Sequence, residues 1–314
     1  MDGIICIYKP QNFTSFDVVA IIRKLFKTRK VGHGGTLDPM AEGVLPVFLG
    51  NATRAVDFQI DNDKEYIAGF RFGVTTNTQD ITGEITSVSD EYISRNKMIF
   101  IERKVGEIEQ IPPMFSAVQV DGKRLYELAR KGEEVERKPR KTTIHSIKIE
   151  HYADNEGIMH VHCSKGTYIR TLIHDIGQEF GAGAIMTSLV RTKSGVFTLD
   201  DCHKIDDLRE LVKREGSEAL RGLLMPPDKL FESYPRALLD ETQTALFGNG
   251  VKLAADRIRF ERIYNGTYRL YGYDKKMIAL AQIAEDHSLK IIQRFGAPVE
   301  YDALIVPNED TDDE

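Results

Sequence analysis

The sequence predicts an α+β protein in two parts. A larger domain over about residues 1–230 is built on a mixed or antiparallel sheet flanked by helices, and a small β-rich domain follows over 231–309. Three observations carry that expectation. Residues 64–74 and 158–163 alternate apolar and polar side chains with the period of two that a half-buried strand needs. Two other stretches, 15–26 and the run after Ser164-Lys165-Gly166-Thr167, repeat apolar residues at helical spacing. Pro226-Pro227 and Pro235 then mark a boundary, beyond which short strand-like runs such as 268–271 and 277–281 are broken by Gly and Asn.

Taken in order, residues 3–8 read as a short buried strand, and Ser15 as the N-cap of a helix running to about Phe26. Val18, Val19, Ile22, Leu25 and Phe26 form its apolar stripe, with Arg23, Lys24 and Lys27 on the other face. A Gly-rich loop follows at 32–35. Pro112-Pro113 opens a polar, basic excursion from the core that is expected to extend over 112–148, with one short helical piece at 125–131. The second helix carries Ile169, Leu172, Ile173 and Ile176 on one side, and Gly181 fits its C-terminal cap. Residues 310–314 form an acidic tail.

The chain has 314 residues, 41% hydrophobic and 29% charged, an ordinary globular composition long enough for two domains. The N-terminus lacks a signal-peptide pattern, and no apolar run approaches the roughly 20 residues of a membrane helix. No membrane association is therefore expected. Cys6, Cys163 and Cys202 are far apart, odd in number and in no CxxC pair, which fits a reducing cytosol and argues against a disulfide framework or a cysteine-based zinc site. No metal site is expected either: His160 and His162 merely alternate on a strand, and Cys202-His203 is a bare dipeptide.

A net charge of −6 by itself counts against a nucleic-acid partner. The charge is uneven, however. Arg23, Lys24, Lys27, Arg29 and Lys30 lie close together, and residues 121–148 hold nine Lys/Arg against five Asp/Glu. Screening limits distant acids to a Debye length of about 8 Å, so local basic patches can still meet phosphates. Two solvated faces are the alternative reading.

The most informative block is Gly32-His33-Gly34-Gly35-Thr36-Leu37-Asp38-Pro39-Met40-Ala41-Glu42-Gly43-Val44-Leu45-Pro46-Val47. Pro39 pushes Asp38 out of helical geometry, so the pair holds one carboxylate at a fixed angle. An isolated Asp-Pro would equally serve as a turn cap. The glycines lack the spacing of a phosphate loop, and no GxSxG accompanies them.

This block closely resembles the catalytic motif of the TruB family of tRNA pseudouridine synthases, G-H-x-G-x-L-D-P-x-A-x-G-x-L-P. Four further segments resemble that family in the right order. They are Lys9-Pro10 with Thr14-Ser15, Lys64-Glu65-Tyr66, Cys163 to Arg170, and Leu189-Val190-Arg191 with Gly195 and Phe197. Asn12 departs from a glycine common after Lys-Pro, but Asn tolerates a left-handed backbone. Gly34 and Thr36 are also departures, and neither touches a reacting group.

The resemblance implies isomerisation of uridine to pseudouridine in the tRNA T-loop, at position 55, by base flipping and attack of the Asp38 carboxylate, without a cofactor. It implies that Arg170 holds Asp38 with its planar fork, that Tyr66 stacks on the uracil and its hydroxyl helps remove the C5 proton, that His33 contacts RNA beside the displaced nucleotide, and that Leu189 walls the base. Further RNA contacts are expected at Lys9, Lys64, Lys123, Arg124, Arg130 and Lys131. The excursion resembles the family's RNA-gripping thumb, and the β-rich domain a PUA domain that would touch the acceptor arm. A cytoplasmic monomer is expected. The alternatives are a related guide-RNA-dependent enzyme of a ribonucleoprotein, and a tRNA-binding folding factor with secondary chemistry.

Overall fold

The computed structural model describes residues 2–60 and 62–295. The chain divides into two compact units, one over Gly3–Leu224 and one beginning at Met225, six residues before the expected boundary. The acidic tail over 310–314 lies outside the described residues, as do 296–309 of the expected second domain.

The first unit is organised by a mixed sheet. Its strands in chain order are β1 Gly3–Lys9, β2 Val31–His33, β3 Glu42–Leu49, β4 Lys64–Phe72, β5 Gly106–Gln110, β6 Arg140–Ala153, β7 Glu156–Cys163, β8 Ala184–Ser194, β9 Phe197–Thr198 and β10 Cys202–His203. They lie in the order β10-β1-β3-β8-β4-β7-β6-β5, with β2 added beside β3 and β9 beside β8. The β1–β10 and β3–β8 pairs are parallel and the rest antiparallel. Register aligns Gly43, Arg191 and Tyr66 in one row across β3, β8 and β4. Gly43 is required there: its φ is +101°, and a Cβ would come 2.3 Å from the Arg191 carbonyl oxygen.

Two apolar clusters cover the sheet. Helix α1, Ser15–Leu25, buries Val18, Val19 and Ile22 against Ile5, Ile7, Leu45 and Val47, together with Ile205 and Leu208 of the later helix Ile205–Glu215. Helix α2, Ile169–Glu179, buries its predicted stripe of Ile169, Leu172, Ile173 and Ile176 against Tyr66, Ala68, Phe70 and Leu189. It stops at Phe180, where Gly181 takes a left-handed φ of +74°.

Two expectations need correction. The N-cap of α1 is Thr14 rather than Ser15: the Thr14 hydroxyl accepts from the Asp17 N–H while the Asp17 carboxylate accepts from the Thr14 N–H, a reciprocal capping box. The Ser15 hydroxyl faces inward instead. The excursion also ends earlier than residue 148, because Arg140–Ala153 is the longest strand of the sheet. Lys141, His145 and Lys148 line its exposed side while Thr142, Ile144 and Ile147 are buried, so a basic outer face read as loop. What leaves the core is about 111–139, bearing a small hairpin of Gln119–Val120 with Lys123–Arg124 and the short helix Leu125–Ala129. Leu125 and Leu128 of that helix are buried.

The second unit is β-rich, as expected. Strands β11 Arg236–Leu238, β12 Arg259–Phe260, β13 Tyr268–Tyr271, β14 Met277–Ile283 and β15 Leu289–Arg294 form a sheet in the order β12-β11-β13-β14-β15. The helix Glu241–Gly248 packs Phe247 on it, beside Leu270, Ala279 and Leu289.

Candidate active site

Asp38 lies in the loop between β2 and β3, and the loop around it is held almost atom by atom. The carbonyls of Gly35 and Thr36 accept from the Arg191 guanidinium at 3.1 and 3.4 Å. The Leu37 carbonyl accepts from Ser15 Oγ at 3.3 Å, and the Leu37 N–H donates back to that oxygen at 2.9 Å. The Asp38 carbonyl accepts from Ala41 N–H, and the Pro39 carbonyl from both Asn12 N–H and Lys9 Nζ. Five consecutive carbonyls are thus engaged, four of them by side chains from other elements. A loop satisfied in this way has little freedom to drift. Asn12 itself sits at φ +65°, the left-handed conformation its turn needs.

Arg170, the second residue of α2, is buried beneath this loop. Its Nε lies 2.9 Å from Asp38 Oδ2. Its terminal nitrogens donate to the carbonyls of Thr78 and Phe115, each at 2.9 Å. Nε of the fork thus faces Asp38 while its terminal nitrogens fix neighbouring backbone. Asp80, also buried, stands 3.6 Å from the same guanidinium. One Asp80 oxygen accepts from the Thr78 hydroxyl, the Thr82 hydroxyl and the Thr82 N–H. Arg170 is thus offset by two carboxylates, and only Asp38, its side chain 35% exposed, is open to a substrate. The root of the excursion is fixed too: Gln110 and Tyr168 exchange side-chain and backbone hydrogen bonds at 3.0 and 3.1 Å.

Tyr66 is buried in the same apolar cluster as Leu37, Met40, Ala41 and Leu189. Burial pushes its phenol up to about 12, over the opposing pull of the adjacent Arg191, so the hydroxyl is neutral at physiological pH. His33 is half-buried on β2. Burial lowers its pKa, and Arg191 adds to the effect. Its Nδ1 is buried without a hydrogen-bond partner among the described residues. The arrangement offers one carboxylate held by a guanidinium, beside an aromatic ring and an aliphatic wall. Such a site suits covalent catalysis on a flat, uncharged ring.

The N-terminal domain of the TruB family pseudouridylate synthases matches residues 23–169, and the C-terminal domain of tRNA pseudouridylate synthase B matches 170–232. A tRNA pseudouridine synthase B of Clostridium tetani is 42% identical over 295 residues, covering 93% of this chain and 99% of that protein. The chain belongs to the TruB family of pseudouridine synthases. It is an isomerase of RNA uridine. Another relative, the tRNA pseudouridine synthase B of Dehalococcoides mccartyi, is 41% identical over 300 residues, covering 94% and 97% of the two chains. Among solved structures, a chain of a Cbf5-Nop10-Gar1 complex superposes with a TM-score of 0.71 at 27% identity, over 94% of this chain and 85% of that one.

Not every residue expected to meet RNA faces outward. Lys9 is fully buried, and its ammonium donates to the carbonyls of Pro10, Phe13 and Pro39. Lys64 is buried as well, its ammonium turned back onto the carbonyls of Ile60 and Asn62 at the end of the short helix Val56–Ile60. Both lysines brace backbone, so the expectation that they contact RNA is withdrawn. Lys123, Arg124, Arg130 and Lys131 are exposed on the excursion, with Arg124 and Arg130 over the Tyr126 ring at 6.0 and 5.4 Å.

Lys9 gives a pH-dependent expectation. Burial lowers its pKa from 10.5 to about 8, against the favourable charges of Asp38 and Glu42. Between those two values the unfolded chain binds more protons at this site than the folded one, so the Lys9 contribution favours folding increasingly as pH rises. Urea unfolding at pH 7 and pH 10 is expected to show the stability gap between the parent and Lys9→Met widening at the higher pH. A gap that narrows would contradict the buried ammonium.

Proposed function

We propose that this enzyme acts on the T-loop of tRNA, converting the uridine at position 55, with Asp38 as the nucleophile. The observation that carries the reading is the Asp38–Arg170 contact at 2.9 Å beneath a loop whose backbone is fixed on both sides. The buried guanidinium sets a fixed positive charge against this carboxylate and orients it.

In the reaction the N1–C1′ bond breaks, the base turns, and C5 bonds to C1′. The C5 proton is lost and N1 gains one, so neither oxidant nor energy source enters. The uridine turns out of its arm at a cost of a few kcal/mol. Stacking on Tyr66 repays part of this, on the order of 1–3 kcal/mol, with Leu189 closing the other side. The Tyr66 phenol, neutral with a pKa near 12, assists loss of the C5 proton as a hydrogen-bonding group rather than as a standing phenolate. His33 lies beside the displaced nucleotide. Lys123, Arg124, Arg130 and Lys131 meet phosphates from the excursion, and the β-rich unit acts as a PUA-like module for the acceptor arm.

The test uses purified protein and a bare tRNA transcript labelled with tritium at C5 of uridine. Release of tritium with no guide RNA, and mapping of the product to the T-loop, is the expected result. No release without a guide would favour a ribonucleoprotein enzyme, and tRNA binding without release would favour a folding factor. Release from a uridine elsewhere would overturn the T-loop assignment.

A further inference from the structure

The structure assembles a second set of chemically capable side chains away from Asp38. A β-bulge between Ile144 and Ser146 inserts His145 as an extra residue opposite the Cys163–His162 step of β7. The bulge turns His145 outward beside His162, with ring centroids 4.6 Å apart. Asp63, the residue before β4, reaches the same spot. His145 Nε2 lies 3.2 Å from Asp63 Oδ2, and His162 Nε2 lies 3.8 Å from it. One ligating atom from each of the three falls within 4.8 Å of the others.

We propose that Asp63, His145 and His162 form a binding site for a late first-row transition-metal ion, with Zn²⁺ the favoured occupant. The spacing carries the argument. Zinc bonds imidazole nitrogen and carboxylate oxygen at about 2.0–2.2 Å, so two ligands of a tetrahedral ion stand about 3.3–3.6 Å apart. These two separations bracket that range, and all three ligating atoms lie within 4.8 Å of one another. Two imidazoles with one carboxylate suit zinc, nickel or copper and are poor for calcium or magnesium, which take oxygen shells. All three side chains are part-exposed, so the ion enters from solvent and water completes its shell. With His145 placed at the bulge, both rings face the same Asp63 oxygen.

A bound ion ties together three strands, β6 and β7 through the histidines and the start of β4 through Asp63. Tyr66 lies three residues into β4, so the clip fixes the entry to the strand that presents the ring. This role is structural and leaves the chemistry at Asp38 untouched.

The test is calorimetric titration of the metal-free full chain with ZnCl₂. One saturable site is expected, weakened roughly tenfold or more in His145→Ala and in His162→Ala. His160→Ala is the control, because His160 shares the strand face but pairs with Glu150 at 2.8 Å; it should bind zinc as the parent does. Asp38→Asn should also bind unchanged, which separates this site from the active centre. Zinc is expected to raise the melting temperature of the parent and not of the double His145→Ala, His162→Ala variant. Cobalt substituted for zinc should show the intense visible absorption of four-coordinate Co²⁺ in the parent and the two controls, and not in the double histidine variant. No saturable binding, equal affinity in the two histidine variants, or equal loss in His160→Ala would each overturn the proposal.

Discussion

Asp38→Asn is expected to bind tRNA like the parent and to form no detectable pseudouridine, a loss on the order of 10⁴-fold or more in turnover. The carboxamide matches the carboxylate in size and keeps an oxygen that can face Arg170 Nε. Arg170 keeps its bonds to the Thr78 and Phe115 carbonyls and its neighbour Asp80, so the pocket should stay assembled. An amide, however, is a far weaker nucleophile than a carboxylate. Tritium release and tRNA filter binding, measured on the same preparation, distinguish chemistry from folding. Appreciable product from this variant would place the nucleophile elsewhere.

The second large effect is expected at Arg191. This side chain is buried in the sheet centre, and its donors serve the carbonyls of Gly35, Thr36 and Val44. Arg191→Met fills much of the volume but leaves those acceptors without a donor. Hydrogen bonds to charged groups contribute about 1.5–3 kcal/mol each, and they are not additive, so roughly 3–5 kcal/mol of stability should be lost. Arg191→Lys restores the charge but not the reach to three carbonyls, and should recover only part of that loss. Urea unfolding gives the stability change. In whatever fraction folds, kcat should fall more than tRNA affinity, because the loop bearing Asp38 loses its brace while the exposed basic residues are untouched. A stability change near zero would show that the carbonyls find other donors.

Much of this molecule is legible in its sequence, for physical reasons that differ from place to place. Helices α1 and α2 and strands β1, β4 and β7 follow from periodic burial: Ile169, Leu172, Ile173 and Ile176 face the core because their spacing leaves no other face to bury. The meeting of Asp38 with Arg170 was legible only through resemblance, since 132 residues separate them and no local pattern joins them. Asp80 escaped notice although it is bracketed by Thr78 and Thr82, a local sign of a satisfied acid; nothing in its neighbourhood tells that it faces Arg170. Arg191 stood within a quoted motif, yet a lone arginine on a strand reads as a solvated side chain. Lys9 and Lys64 misled for the converse reason: lysines are rarely buried, and only the fold shows their ammoniums satisfied by carbonyls. The bulge at His145 was invisible, because an extra residue in a strand leaves no mark in an alternating pattern that is already irregular.

The tether between Phe115 and Arg170, with the Gln110–Tyr168 exchange beside it, has a consequence for how such enzymes diversify. The outlying arm is welded to the catalytic floor at its base, while its far end over 118–136 hangs beyond that joint. Trimming, lengthening or recharging the tip can retune which RNA is grasped without shifting the reacting carboxylate. Recognition and chemistry thereby become separately evolvable, hinged on one guanidinium.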